Sequence, residues 1–365
     1  MSVLIRLLAL LVIASPLHAQ SWTLGPFQKP GEGNPVLVPT RESWFRSPTN
    51  DSVVRWEEYA TFNPAAVVRQ GRVHLLYRAE DASGDEKIGG HTSRLGLATS
   101  SDGLRFTRRP APVLYPDRDA QRANEWPGGV EDPRIVETDD GMYVLTYTQW
   151  NRDVPRLAVA TSRDLVTWQK YGPAFAGVSN DKYLRTESKS GAILSRLVGD
   201  RIVATRVNGK YWMYFGVPAI RIATSDDLIR WTPLEDADGN AIAVLTARPG
   251  YFDSWLVEPG PPALLTENGI VLLYNAGNSG AHGDSRLPDR MYSAGQALFD
   301  TANPIKLLDR TREPFIRPTE PYERTGQYAQ GTTFVEGLVR FGGRWFLYYG
   351  TADSRVGVAI SNPAR

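Results

Sequence analysis

Five times along the 365-residue chain a glycine opens a short run dense in aromatic and branched residues. Gly71 opens G-R-V-H-L-L-Y, Gly141 opens G-M-Y-V-L-T-Y and Gly209 opens G-K-Y-W-M-Y-F. Gly269 opens G-I-V-L-L-Y-N, and Gly343 opens G-R-W-F-L-Y-Y. Glycine tolerates the positive φ of a tight turn, and aromatic and β-branched residues favour strands, so each copy reads as a turn feeding a strand. The spacings are 70, 68, 60 and 74 residues. A second pattern follows most copies. Leu95 to Ser100 (L-G-L-A-T-S) leads to Asp102, Leu157 to Ser162 (L-A-V-A-T-S) to Asp164, and Ile220 to Ser225 (I-R-I-A-T-S) to Asp227. Val356 to Ser361 (V-G-V-A-I-S) ends the chain, and Tyr292 to Asp300 is a looser fourth copy. A repeat of this length holds three or four strands and needs its neighbours to cover its apolar faces. The expected fold is all-β, a five-bladed β-propeller formed as a single domain over residues 20–365. Two β-sandwiches would give shorter, less regular spacing. Residues 21–60, 170–186, 233–257 and 276–291 are polar and bear Pro or Gly, and they read as surface loops.

Residues 1–19 read as a secretory signal peptide. Arg6 precedes an apolar run from Leu7 to Ala14, Ser15 and Pro16 break it, and Ala19 offers a small residue for cleavage. The run is too short to span ~30 Å of hydrocarbon, so the expectation is export to periplasm or medium without a membrane anchor. The mature chain has no cysteine and must be stable through packing rather than disulfides. Its net charge is +1, with 41 Lys and Arg against 40 Asp and Glu, which leaves no electrostatic footprint for nucleic acid.

The segments just before the repeat glycines place polar residues at the mouths of otherwise apolar strands. These are Phe62 to Val68 (F-N-P-A-A-V-V), Gly129 to Ile135 (G-V-E-D-P-R-I), Glu187 to Ile193 (E-S-K-S-G-A-I), Val257 to Ala263 (V-E-P-G-P-P-A) and Thr332 to Leu338 (T-T-F-V-E-G-L). Buried charge needs a partner, and five such groups point to a polar pocket more than to a purely structural network. Converging carboxylates together with 10 Trp and 16 Tyr suit an oligosaccharide substrate, since glycosidic cleavage uses two carboxyl groups. Trp126, Trp150 and Trp255 are the candidates to stack on sugar rings. No histidine adjoins these segments, so no metal is assigned, although calcium ligation by carboxylates stays an alternative.

The same motifs resemble glycoside hydrolase family 130. The resemblance lies in F-N-P-A-A-V-V, L-L-Y-R-A-E-D (Leu75 to Asp81), S-R-L-G-L-A-T-S from Ser93, G-G-V-E-D-P-R-I from Gly128, P-G-P-P-A from Pro259 and the closing run from Phe346. It covers nearly all of the mature chain, in order. It implies a five-bladed propeller acting on β-mannosides, by phosphorolysis in most members and by hydrolysis in some exported β-1,2-mannosidases. It implies the general-acid role for Asp132, with the proton passed either directly or through a substrate hydroxyl. It implies sugar contacts for Asn63, Arg78, Arg94, Glu131 and Arg134, and Tyr147, Lys189, Glu187 and Glu336 are assigned to substrate binding with them.

The resemblance leaves two reactions to weigh. A phosphorylase binds a dianion with converging cations. Lys189 matches one member of the family's basic cluster, but Phe215 and Gly216 stand where a His-Arg pair is expected. Glu258 adds a carboxylate that would repel phosphate and activate water. The leading expectation is therefore an exported inverting β-mannosidase with Asp132 as acid and Glu258 as base, Glu187 and Glu336 being the alternative bases. For inversion the two carboxyl groups should lie about 6.5–9.5 Å apart. No cofactor is needed, and inorganic phosphate enters only as co-substrate of the alternative, a β-mannoside phosphorylase releasing mannose 1-phosphate. A non-catalytic glycan-binding propeller is the third reading. Arabinanase-like and invertase-like chemistry ranks low, because Asn63 replaces the Asp those enzymes use. The loops at 80–92, 170–186 and 276–291 are expected to set linkage and leaving group, and the oligomeric state stays open.

Overall fold

The computed structural model describes residues 20–362; the proposed signal peptide lies outside them. Five successive antiparallel units account for 20 of the 27 strands among the described residues. The first unit is Ala60–Arg69, Arg72–Glu80, Ser93–Ser100 and Thr107–Arg108, and the second is Gly129–Glu137, Tyr143–Trp150, Pro155–Ser162 and Gln169–Pro173. The third runs Ala192–Ile193, Lys210–Phe215, Ile220–Ser225 and Thr232–Pro233. The fourth runs Leu256–Pro259, Gly269–Gly277, Tyr292–Phe299 and Leu307–Arg310. The fifth has Thr333–Phe341, Arg344–Thr351 and Arg355–Ser361, and takes its fourth strand, Phe27–Gln28, from the other end of the chain. Residues 21–60, read above as loop, therefore also complete the last sheet. The signal was too short to see: two residues with no alternation of their own.

Four of the five repeat glycines are turn glycines, whereas Gly269 opens its strand opposite Thr266. Gln70–Gly71, Asn208–Gly209 and Gly342–Gly343 each place two successive residues at positive φ, the geometry of two-residue hairpin turns matched to strand twist. The Ser-x-Asp repeats close the other end of the first three units. Asp102, Asp164 and Asp227 each accept two backbone N–H bonds at 2.7–2.8 Å and hold the turn into the last strand.

Adjoining units are joined in sequence. Ser93 pairs with Gly129, Val203 with Glu137 and Ser195 with Leu264, all in parallel. Asn275 exchanges hydrogen bonds with the Val335 backbone, joining fourth to fifth. The fifth unit then meets the first, where Gly337 lies so close to the Pro64 carbonyl that a Cβ would sit 2.7 Å from it. Among the described residues no helix is long and apolar enough to cross a membrane.

A buried polar clamp recurs in four units. A carboxylate shortly before the first strand meets a tyrosine hydroxyl from the second strand and a cation from the outermost strand or its flank. The sets are Glu57 with Tyr77 and Arg108, Glu125 with Tyr147 and Lys170, Asp253 with Tyr274 and Arg310, and Glu323 with Tyr349 and Lys29. The tyrosine bonds are 2.8–2.9 Å and all four carboxylates have no exposure. In the third unit Tyr214 donates to the Pro304 carbonyl instead. In three clamped units the third strand places Gly96, Gly295 or Gly357 against the tyrosine ring, where any Cβ would come within 2.3–2.6 Å of a ring carbon. Each clamp fixes three strands at one point, and removing one charge strands the other in a dry environment. Asp253→Ala is expected to lower unfolding free energy by about 3–5 kcal/mol. Tyr274→Phe, which loses one neutral donor, is expected to cost about 1 kcal/mol. Denaturant titration of the two variants checks the ordering.

Candidate active site

Polar residues on or beside the first strands of four units, joined by Arg78 from a second strand, line one cavity of about 300 Å³. Asn63, Arg78, Glu131, Asp132, Lys189 and Glu258 all line it. Asn63 and Asp132 sit at breaks in strand register, and both have positive φ immediately before a proline. A regular strand would pair these residues and send every second side chain to the far face. The bulge frees one residue from the ladder and re-aims it. Asn and Asp tolerate this backbone best among residues with a side chain that can bond.

Arg78 organises the acidic pair. Its guanidinium donates to Asp132 Oδ1 at 3.1 Å, Glu131 Oε1 at 2.9 Å, Glu80 Oε1 at 2.6 Å and Ser93 Oγ at 3.0 Å, and it lies 4.6 Å from the Phe62 ring centre. Asn63 Nδ2 donates to the same Asp132 oxygen at 2.9 Å. Burial pushes the Glu131 carboxyl up to about 7; Arg78 opposes this, while Asp132 and Glu80 reinforce it. Burial pushes Asp132 up as well, but Arg78, Lys189, Asn63 and Arg134 together outweigh it and hold Asp132 below the ordinary carboxylate value. The adjoining acids are thus unequal, and Glu131 keeps a proton where Asp132 does not.

Elsewhere in the cavity lining, Glu258 accepts a hydrogen bond from Ser190 Oγ and lies 3.8 Å from Lys189 Nζ. Glu258 holds the Lys189 ammonium above the ordinary lysine value against the effect of burial. Ser190 has φ 60°, another left-handed residue, here behind the lining residue Glu258.

Several expected residues are placed elsewhere. Arg94 pairs with Asp81 at 2.6 Å and does not line the cavity. Arg134 and Glu336 are fully buried behind the lining, with every assigned Arg134 bond going to protein. Glu187 is exposed on the approach to Lys189 and outside the lining. Tyr147 belongs to the Glu125 clamp, with its hydroxyl bonded to Glu125, and does not line the cavity. Of the stacking candidates, Trp150 lines the cavity; Trp126 does not, and Trp255 stands behind the wall, edge-on to Tyr292. Of the three loops, 80–92 contributes Ile88 and Gly89, and neither 170–186 nor 276–291 contributes a lining residue.

Sequence reasoning missed Asp353, Tyr292 and Tyr328, which also line the cavity. Burial, opposed by Arg78, raises the Asp353 carboxyl to about 7. The sequence offers only an acidic residue in the turn after the fifth aromatic strand; it is the structure that shows Ala352 and Asp353 as consecutive non-glycine residues at positive φ. Tyr328 comes from a segment outside the repeat, and Tyr292 packs 5.3 Å from it, ring centre to ring centre.

The profile of glycoside hydrolase family 130, described as beta-1,4-mannooligosaccharide phosphorylase, matches residues 39–363. The chain belongs to this family. It is 32% identical over 330 residues to a 1,2-beta-oligomannan phosphorylase of Thermoanaerobacter sp. (strain X514), covering 89% of this chain and 94% of that one. Two solved structures of this family-130 chain's fold are closer in sequence. One, a glycosyl hydrolase from Bacteroides ovatus, is 52% identical with a TM-score of 0.92, covering 94% of this chain and 95% of that one. The other is 50% identical with a TM-score of 0.93, covering 95% and 96%. It is described with the statement that this family of mannoside phosphorylases contains glycoside hydrolases that target beta-1,2 mannosidic linkages in Candida mannan.

Glu131 gives the site a pH signature. Its folded-state value, about 7, exceeds the ordinary 4.5, so the folded chain holds an extra proton between these limits. Stability from this group is full below about 4.5 and is lost as pH rises to about 7. Melting temperatures of Glu131→Gln, relative to wild type, are expected to rise steadily across that interval. A constant difference would mean that Glu131 titrates normally.

Proposed function

We propose that the protein is an exported, inverting β-mannosidase that hydrolyses β-1,2-linked mannosides, built as a five-bladed propeller around the cavity. The propeller reading is supported by five four-stranded units whose fifth adjoins the first. Export rests on the leader-like residues 1–19. The β-1,2 linkage is supported by the descriptions of the oligomannan phosphorylase and of the structure 50% identical to this chain.

The observation that carries hydrolysis over phosphorolysis is the state of the cavity's cations. Two cations and four carboxylates line it: Arg78 and Lys189 against Glu131, Asp132, Glu258 and Asp353. Arg78 is already bound to Glu80, Glu131 and Asp132, and Lys189 is held by Glu258. A phosphate dianion needs free donors that converge on it and would here meet carboxylates. Phe215, where a basic residue was sought, is buried against Phe175 at 4.7 Å and offers no charge.

In this reading the glycosidic oxygen leaves with a proton that Asp132 delivers, directly or through a hydroxyl of the sugar. The surrounding cations keep Asp132 ionised, and the proton that Glu131 keeps to about pH 7 is the one available to the pair. Glu258 takes a proton from the attacking water on the opposite side, with Ser190 and Lys189 fixing its orientation. Incubation with β-1,2-mannobiose should release free mannose in phosphate-free buffer. Mannose 1-phosphate formed only with phosphate would support the phosphorylase reading, and no turnover in either condition would support a glycan-binding role. Asp132→Asn is expected to lower kcat by roughly 10²–10⁴-fold without unfolding the chain. An Asp132→Asn protein that remained fully active would remove Asp132 from the acid role.

A further inference from the structure

Arg134 stands in the first strand of the second unit, two residues after Asp132, and is 1% exposed. Its guanidinium bonds reach three units. Nε donates to the Gly260 carbonyl at 2.8 Å and Nη2 to the Pro259 carbonyl at 2.8 Å, both directly after Glu258 in the fourth unit. Nη1 donates to the Asp132 carbonyl at 3.1 Å and to Glu336 Oε1 at 2.9 Å, in the fifth unit. Four protein acceptors are met by a group with five N–H donors, which leaves little for a sugar. Glu336 has no exposure and sits at its own break in strand register, so the fifth unit offers its carboxyl from a bulge as the second unit offers Asp132.

We infer that Arg134, seated by Glu336, is a positioning residue that fixes the distance between Asp132 and Glu258 by gripping the backbone beside each. This rests on the reading of Asp132 and Glu258 as acid and base. Inversion requires their carboxyl groups about 6.5–9.5 Å apart, with room for one water. The two lie in different units, linked only through several intervening strands, and the strand pairing within each unit sets no distance between them. A planar fork that bonds to the main chain beside both residues does set it. Lysine, a single flexible point charge, cannot hold four acceptors in one plane.

The test is Arg134→Lys, assayed on β-1,2-mannobiose and titrated calorimetrically with mannose. A displacement of about 1 Å costs roughly 10²-fold in rate, so kcat is expected to fall about 100-fold. KM, the mannose Kd and the binding stoichiometry should stay within about threefold of wild type, on the same rate-versus-binding logic. An unchanged kcat, or a raised KM with kcat kept, overturns the inference. If Arg134→Lys does not fold, Glu336→Ala and Glu336→Gln decide. Ala removes the acceptor and should lower kcat, while Gln retains one and should recover most of it; equal kcat values overturn the inference. Asp132→Asn is run beside them. Activity retained there defeats the acid assignment itself, whereas an inactive Asp132→Asn beside a fully active Arg134→Lys defeats only the positioning role.

Discussion

A carboxylate with no access to water stands before the first strand in four of the five units, and the sheets are organised around it. Taking such a group out of water is costly unless a cation and a hydroxyl replace its hydration. Here the replacements come from different strands, so satisfying Glu57, Glu125, Asp253 or Glu323 also fixes the spacing of a whole sheet. In the fifth unit the cation is Lys29, directly after the strand Phe27–Gln28, and the clamp thereby ties the two ends of the described chain together. A chain without cysteine obtains through these buried pairs the cross-links that disulfides supply elsewhere.

That rigid frame lets the cavity carry unfavourable features. Asn63 and Asp132 take left-handed backbone before proline, and Ser190, Ala352 and Asp353 add three more positive φ values around the same cavity. Such conformations persist only where surrounding structure over-determines them. The charges are handled the same way. Arg78 serves three carboxylates at once and makes neighbouring acids unequal, which pure burial would not do.

The strands were legible in the sequence because their signal is local: a turn glycine, five or six apolar residues, then a Ser-x-Asp turn. The polar segments before the glycines were legible too, and Asn63, Arg78, Glu131, Asp132, Lys189 and Glu258 do meet in one cavity. Tyr147, expected in substrate binding, is instead committed to Glu125, a partner 22 residues away that no short motif marks. The separations in the other clamps are 20, 21 and 26 residues, so an acid at that offset before each strand tyrosine was the pattern to seek. Arg134 was misplaced for a different reason. Its partners are main-chain carbonyls more than a hundred residues away, and no side-chain motif marks a carbonyl as an acceptor.

The central claim is that a cavity whose cations are already paired uses water, with Asp132 and Glu258 on opposite sides of the bond. Proton NMR of the mannose first released from the methyl glycoside of β-1,2-mannobiose in phosphate-free buffer tests both halves together, because the leaving sugar departs as a methyl mannoside and adds no free anomer to the signal. Inverting hydrolysis yields the α anomer before mutarotation. Initial release of β-mannose, or no release until phosphate is added, would contradict the account.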